Sequence, residues 1–186
     1  MAKSVSKSVS TFFGDIRIYA DKTQQLKAER LIKKIPSILN NGYSRGSKNF
    51  GNKLLRIIKK SLSTGVPPPG SNVSWAPHSA STIKQFGEHT LLNYTGQYKR
   101  SVKLMETKSR IYVGLPRVKK VSAKSGKNTK RTLNQVAIML EYGSRDGNLP
   151  ARPLWAPAYK AVGGKPALKK EIRNELRKEI RKYTKK

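Results

Sequence analysis

The chain has 186 residues, with 40 Lys+Arg against 10 Asp+Glu, a formal charge of +30 at pH 7, 36% hydrophobic residues and no cysteine. This length suits one domain with a single core, and the missing thiols exclude disulfides, thiolate metal sites and a cysteine nucleophile. The charge calls for an acidic neighbour: phosphate backbone, an acidic protein surface or, least of all, an anionic membrane, since the longest apolar run, Val136 to Leu140, is far short of the roughly 20 residues a spanning helix needs.

The N-terminal MAKSVSKSVSTFF has no signal-peptide core, so no export is expected, and residues 1–11 read as a flexible basic tail before a single domain. Ile16, Ile18 and Ala20 alternate with Arg17 and Tyr19, predicting a short strand ended by Asp21. Lys22 to Ile35 carries Leu31, Ile32 and Ile35 on one stripe and predicts a helix that Pro36 interrupts. A long helix is expected from about Pro36 to Leu62, where Leu39, Tyr43, Gly46, Phe50, Leu54, Ile57 and Ile58 recur every three to four positions. Gly42, Gly46 and Gly51 each cost about 1 kcal/mol there relative to alanine. Either the helix breaks near Asn40 to Ser47, or its glycines admit another backbone. Arg45, Lys48, Lys53, Arg56, Lys59 and Lys60 lie off the apolar stripe, and no acid occurs between Arg30 and Glu88.

GVPPPGSNVSWAPHSAS, from Gly65 to Ser81, has too many prolines for regular structure and predicts an extended passage anchored by Trp75. Thr82 to Asn93 predicts a short helix with Ile83, Phe86 and Leu91 inward. Ser101 to Glu106 and Arg110 to Leu115 predict a hairpin turning at Thr107 to Ser109, with Val102 and Leu104 on one face of the first strand and Ile111 and Val113 on the second. RVKKVSAKSGKNTKR, after Pro116, has seven basic residues and no acid and reads as a flexible loop or arm over 116–131. Leu133 to Tyr142 predicts a short helix closed by Gly143. Arg145 to Ala158 is a second proline-rich passage, anchored by Leu154 and Trp155. Leu168, Ile172, Leu176 and Ile180 step by four and, with Tyr183, predict an amphipathic helix from about Pro166 to Tyr183. Its Glu171, Glu175 and Glu179 read as surface charges.

No catalytic constellation is legible. The acids are scattered, there is no Walker A or dinucleotide fingerprint, and the prolines of GVPPPGS remove the N–H donors of a phosphate cradle. His78 and His89, eleven apart, fit no zinc spacing and read as surface or turn histidines. No catalytic, cofactor or metal residue is assigned, and an enzyme is the least supported class. Arg117, Lys119, Lys120, Lys124, Lys127, Lys130 and Arg131, with the basic faces of the two long helices, suit phosphates. Without a zinc finger, helix-turn-helix or aromatic-rich sheet, such binding would be sequence-independent. A solvated charge run that keeps an assembly soluble is the plain alternative.

NVSWAPHSASTIKQFG followed by LLNYTGQYKRSV resembles a block of phage virion-morphogenesis (tail-completion) proteins: tryptophan, proline, Ser/Thr, then leucine and Thr-Gly-x-hydrophobic-x-x-Ser-hydrophobic. LEYGS and LPARPLWAPAY resemble the closing block of the same proteins and of head-tail joining proteins, Glu-aromatic-Gly-Ser/Thr, then Pro-Ala-Arg-Pro-hydrophobic. The resemblance spans residues 30–180; the basic insertion after Leu115 and the N-terminal strand depart from it. It implies a structural neck component of a virion, a homo-oligomeric ring of about six copies at the head-tail junction or capping the tail tube, in contact with other neck, connector and tail proteins; the basic segment after Leu115 would then face packaged double-stranded DNA or an acidic ring surface of the adjacent neck protein. Tail terminator, head-side adaptor and general nucleic-acid binder are the other readings.

Read physically, Thr95-Gly96 suits a cap and turn that aims Tyr98 and Val102 into the core. Gly143 lets the chain leave a helix. Pro150, Pro153 and Trp155 build a strap, whose Arg152 suits a carboxylate of its own or a neighbouring subunit. With Trp75, Glu141 and Tyr142 these are the expected scaffold or interface residues. The expected fold is α+β: a small mostly antiparallel sheet packed with a long N-terminal helix and a C-terminal amphipathic helix.

Overall fold

A computed structural model describes residues 8–11, 14–17, 22–92, 95–107, 110–116, 120–122, 128–145 and 147–184. The fold is α+β. Three antiparallel hairpins, β1(Ser8–Thr11)–β2(Gly14–Arg17), β3(Lys103–Glu106)–β4(Ile111–Gly114) and β5(Lys120–Ser122)–β6(Asn128–Thr132), accompany six helices. The helices are α1(Lys22–Thr64), α2(Ala80–Phe86), α3(Gln97–Ser101), α4(Leu133–Tyr142), α5(Trp155–Ala161) and α6(Gly164–Thr184).

Two expectations at the N-terminus are corrected. Residues 8–11, read as tail, form a strand paired antiparallel with residues 14–17, Val9 in register with Ile16; residues 1–7, 12–13 and 18–21 lie outside the described residues. Pro36 does not interrupt the helix: α1 runs unbroken over 43 residues with Pro36 inside. The proline withholds one N–H from the helix ladder, but at an exposed position where water can serve the orphaned carbonyl. Packing against α6 carries the helix across.

That packing uses the glycines. A Cβ on Gly46 would meet the Ile172 Cα at 2.5 Å, and one on Gly42 would meet the Leu176 Cα at 3.0 Å. The helix does not break there; its missing side chains let α6 lie against it. The buried stripe is therefore turned slightly from the expected one, with Ile38 3% exposed while Leu39 and Tyr43 are 52% and 57% exposed. Beside the glycine contact runs a polar ladder. Arg45 pairs with Glu179, Asn49 Nδ2 donates to Glu175 Oε1 at 3.3 Å, and Lys53 Nζ to Glu171 Oε1 at 2.5 Å. The three glutamates face α1, with Glu175 and Glu179 buried, which overturns their reading as surface charges.

The core gathers Ile58 and Leu62 of α1, Trp75, Tyr98, Val102, Ala137, Leu154 and Ala158. Leu104 of β3 packs against Gly51, and Val113 of β4 lies close by. Leu104 pairs with Val113 and Glu106 with Ile111, and Thr107 N donates to Arg110 O at 2.8 Å. Residues 108–109 of the expected turn lie outside the described residues. The expected helix from Thr82 is shorter, ending at Phe86 before Gly87, and its Ile83 is 40% exposed rather than inward. The basic segment read as a flexible arm contributes β5 and β6, since Val121, Thr129 and Thr132 favour an extended chain. The second proline-rich passage ends in a helix, α5, whose Pro157 sits in the first turn, where a missing N–H breaks no bond.

Candidate functional site

The two motif blocks fold against each other. Trp75 Nε1 donates to Pro153 O at 3.0 Å, and Arg152 donates from Nε to Ala76 O at 3.0 Å and from Nη2 to Pro77 O at 3.1 Å. Arg152, 5% exposed, thus meets two backbone carbonyls of its own chain instead of the expected carboxylate. The reason lies in the first strap: its prolines prevent a regular ladder, leaving adjacent carbonyls that a planar fork of donors satisfies together. Burial draws the Arg152 pKa down.

Glu141 explains how the second block holds its shape. Its Oε2 accepts from Leu154 N at 2.7 Å and Trp155 N at 3.2 Å, so a residue on α4 supplies the acidic cap that α5 lacks locally. Trp155 Nε1 donates to Tyr98 Oη at 3.2 Å. Burial pushes the Tyr98 phenol up to about 12; the Trp155 hydrogen bond opposes this and the Glu141 charge adds to it.

Gly96, at φ 67, precedes α3, and Thr95 Oγ1 accepts from Gln97 N at 3.3 Å, which turns Tyr98 and Val102 into the core. Gly143, at φ 81, is doubly required: a Cβ there would lie 2.9 Å from Leu149 O.

Trp75, Thr95, Gly96, Glu141, Gly143, Arg152, Pro153 and Trp155 therefore belong to one interlocked module. Tyr142 and Pro150 do not: Tyr142 is 79% exposed, and Pro150 points to solvent. Of the cationic candidates, Lys120 lies on β5 and Lys130 and Arg131 on β6, whereas Arg117, Lys119, Lys124 and Lys127 lie outside the described residues. Sequence reasoning missed the α1–α6 ladder. Its signal was two rows stepping by four, Arg45-Asn49-Lys53 and Glu171-Glu175-Glu179, on helices able to run antiparallel.

The side chains of Trp75, Glu141 and Arg152 are engaged with backbone and that of Trp155 with Tyr98, an arrangement suited to fixing backbone. Among the described residues no cluster of metal-ligating side chains occurs, and no helix is long and apolar enough to cross a membrane. The rings of His78 and His89, read as surface or turn histidines, lie tilted against each other with centroids 4.2 Å apart. Comparison with protein-family models, curated proteins and solved structures gives no match.

Proposed function

We propose that the protein is a structural component of a phage neck, completing the tail or joining it to the head as one copy of a homo-oligomeric ring around the DNA channel. Capping the tail tube as a terminator is the same role at a neighbouring level. The observation that carries this reading is the interlock just described: the residues of the family-like blocks hold two proline straps together, as a scaffold requires.

Assembly is supported by two bare apolar surfaces. Beside the stripe of Ile38, Gly42 and Gly46 buried on α1, that helix leaves Ile32, Ile35, Leu39 and Tyr43 exposed, and α4 exposes Ile138 and Tyr142. The second suits the first, because α4 carries no Lys or Arg and lets a basic copy approach without like-charge repulsion. Different surfaces on the two copies make a head-to-tail contact, the kind that closes into rings.

The chain lacks cysteine, so a Leu39→Cys/Ile138→Cys variant treated with a short bismaleimide tests the contact. A ladder of linked multimers is expected from the double variant and none from either single one. Linking by Leu39→Cys alone, or no linking at concentrations where the protein assembles, contradicts it.

A further inference from the structure

We propose that the outward face of α6 binds the phosphate backbone of duplex DNA, with Lys169, Arg173, Arg177 and Arg181 as its contacts. This deepens the neck reading by naming the surface that meets DNA. It also fails separately, because binding is read on the purified protein and neck location on virions.

In sequence, α6 has glutamates spread among its cations and reads as partly neutralised. The fold removes that neutralisation. Glu171, Glu175 and Glu179 turn to α1, and Lys178 and Lys182 bend back onto Glu175 and Glu179 at 2.6 Å each. Lys169, Arg173, Arg177 and Arg181 are exposed and, among the described residues, have no carboxylate within ion-pair distance. One face of α6 is thus free of acidic side chains, although the helix as a whole is mixed.

The geometry suits a polyphosphate. Steps of four residues rise about 6 Å each, so the row spans about 18 Å within an arc of about 120°. Three of the four are arginines, whose planar fork pairs with phosphate oxygens. The spacing is set before any ligand arrives, because Gly42 and Gly46 clamp α6 along a helix of 43 residues, which lowers the ordering cost of binding. No aromatic side chain lies between residues 169 and 181 to stack an unpaired base. Ile172 and Leu176 lie against Gly46 and Gly42 of α1, and the exposed Ile180 is by itself too small an apolar surface for the centre that a protein partner or a membrane surface would use. Backbone contact with a duplex is what remains, and it is independent of base sequence.

The test is fluorescence anisotropy of a labelled duplex of arbitrary sequence with the full-length protein, titrated against salt. The variant Lys169→Gln/Arg173→Gln/Arg177→Gln/Arg181→Gln is compared with Lys33→Gln/Lys60→Gln/Lys84→Gln/Lys160→Gln, which loses the same charge from exposed positions elsewhere. The α6 variant should flatten the slope of log K against log salt by about 3 to 4, at about 0.9 for each phosphate no longer neutralised. The control should change it by less than about 1. Circular dichroism should show both folded, since none of the α6 residues replaced forms an ion pair with another described residue. Equal losses in both variants, an unchanged slope in the α6 variant, or an α6-dependent affinity for phosphatidylserine vesicles or polyglutamate with the duplex slope unaltered would each overturn the proposal.

Discussion

Gly46 of α1 and Ile172 of α6 are in backbone contact, close enough that a Cβ on residue 46 would come within 2.5 Å of the Ile172 Cα. Helix propensity alone favours Gly46→Ala by about 1 kcal/mol. The clash is with backbone, which cannot rotate away as a side chain would, and overpacking of this kind costs about 1–3 kcal/mol. Gly46→Ala should therefore lower Tm, by about 2–4 °C per kcal/mol of net loss at this chain length. The exposed Asn41→Ala, on the same helix, should leave Tm unchanged or raise it. A Gly46→Ala protein stabilised by the full propensity gain would mean that α6 does not lie against α1 as described.

Arg152 holds two carbonyls, Ala76 O and Pro77 O, that have no ladder partners. Arg152→Lys keeps the charge but offers a single nitrogen in place of the fork. Loss of one charged hydrogen bond, about 1.5–3 kcal/mol, should appear in thermal unfolding, and Arg152→Met should be worse. An unaltered Tm in both would show that the straps are pinned elsewhere.

Glu141 caps α5 from α4 through Leu154 N and Trp155 N. Replacing it with alanine should cost about 0.5–2 kcal/mol, the range for a lost N-terminal cap. The local effect is the more telling readout: hydrogen exchange at residues 154 and 155 should accelerate while exchange along α1 and α6 is unchanged. Uniform acceleration would argue against a capping role.

Stability should fall in two stages on acidification. The His78 pKa lies below its ordinary 6.5, through burial first and then the charges of His89 and Arg152, with a backbone hydrogen bond at His89 opposing. The unfolded chain takes that proton first, so the contribution of neutral His78 is complete above pH 6.5 and declines as pH drops below it. The Glu179 pKa lies below its ordinary 4.5, chiefly through the Lys182 hydrogen bond, with Arg45 also lowering it and burial opposing. Its contribution is complete above that value and is lost as pH falls through the folded-state pKa. Tm measured from about pH 8 to about pH 3 should show both declines, the first missing in His78→Asn and the second weakened in Glu179→Gln. Profiles that match the wild type would contradict the assignment.

Elements with a strong local signal were legible in the sequence. The four-residue step of Leu168, Ile172 and Leu176 marks α6, alternation marks β3 and β4, and Gly143, at positive φ, closes α4 where expected, while the capping box of Thr132 and Gln135 at its start went unread. Where the outcome depends on a partner far along the chain, local pattern failed. Glu175 and Glu179 look like surface charges until α1 lies alongside, and Pro36 looks like a helix end until packing at Ile38, Gly42 and Gly46 outweighs one lost hydrogen bond. Arg152 was legible as a fork of donors, but its acceptors, two carbonyls in the other proline strap, could be found only in the folded chain. Glu141 was found as a motif residue, and its cap on α5 was not, because α5 itself was read as extended strap.

Cryo-electron microscopy of virions from the genome that encodes this chain, with a tag on its N-terminus, separates a neck protein from a general nucleic-acid binder. A ring at the head–tail junction is predicted, built from copies whose α1–α6 pairs surround the DNA channel. Virions that lack the chain, together with a purified protein that stays monomeric at high concentration, would contradict it.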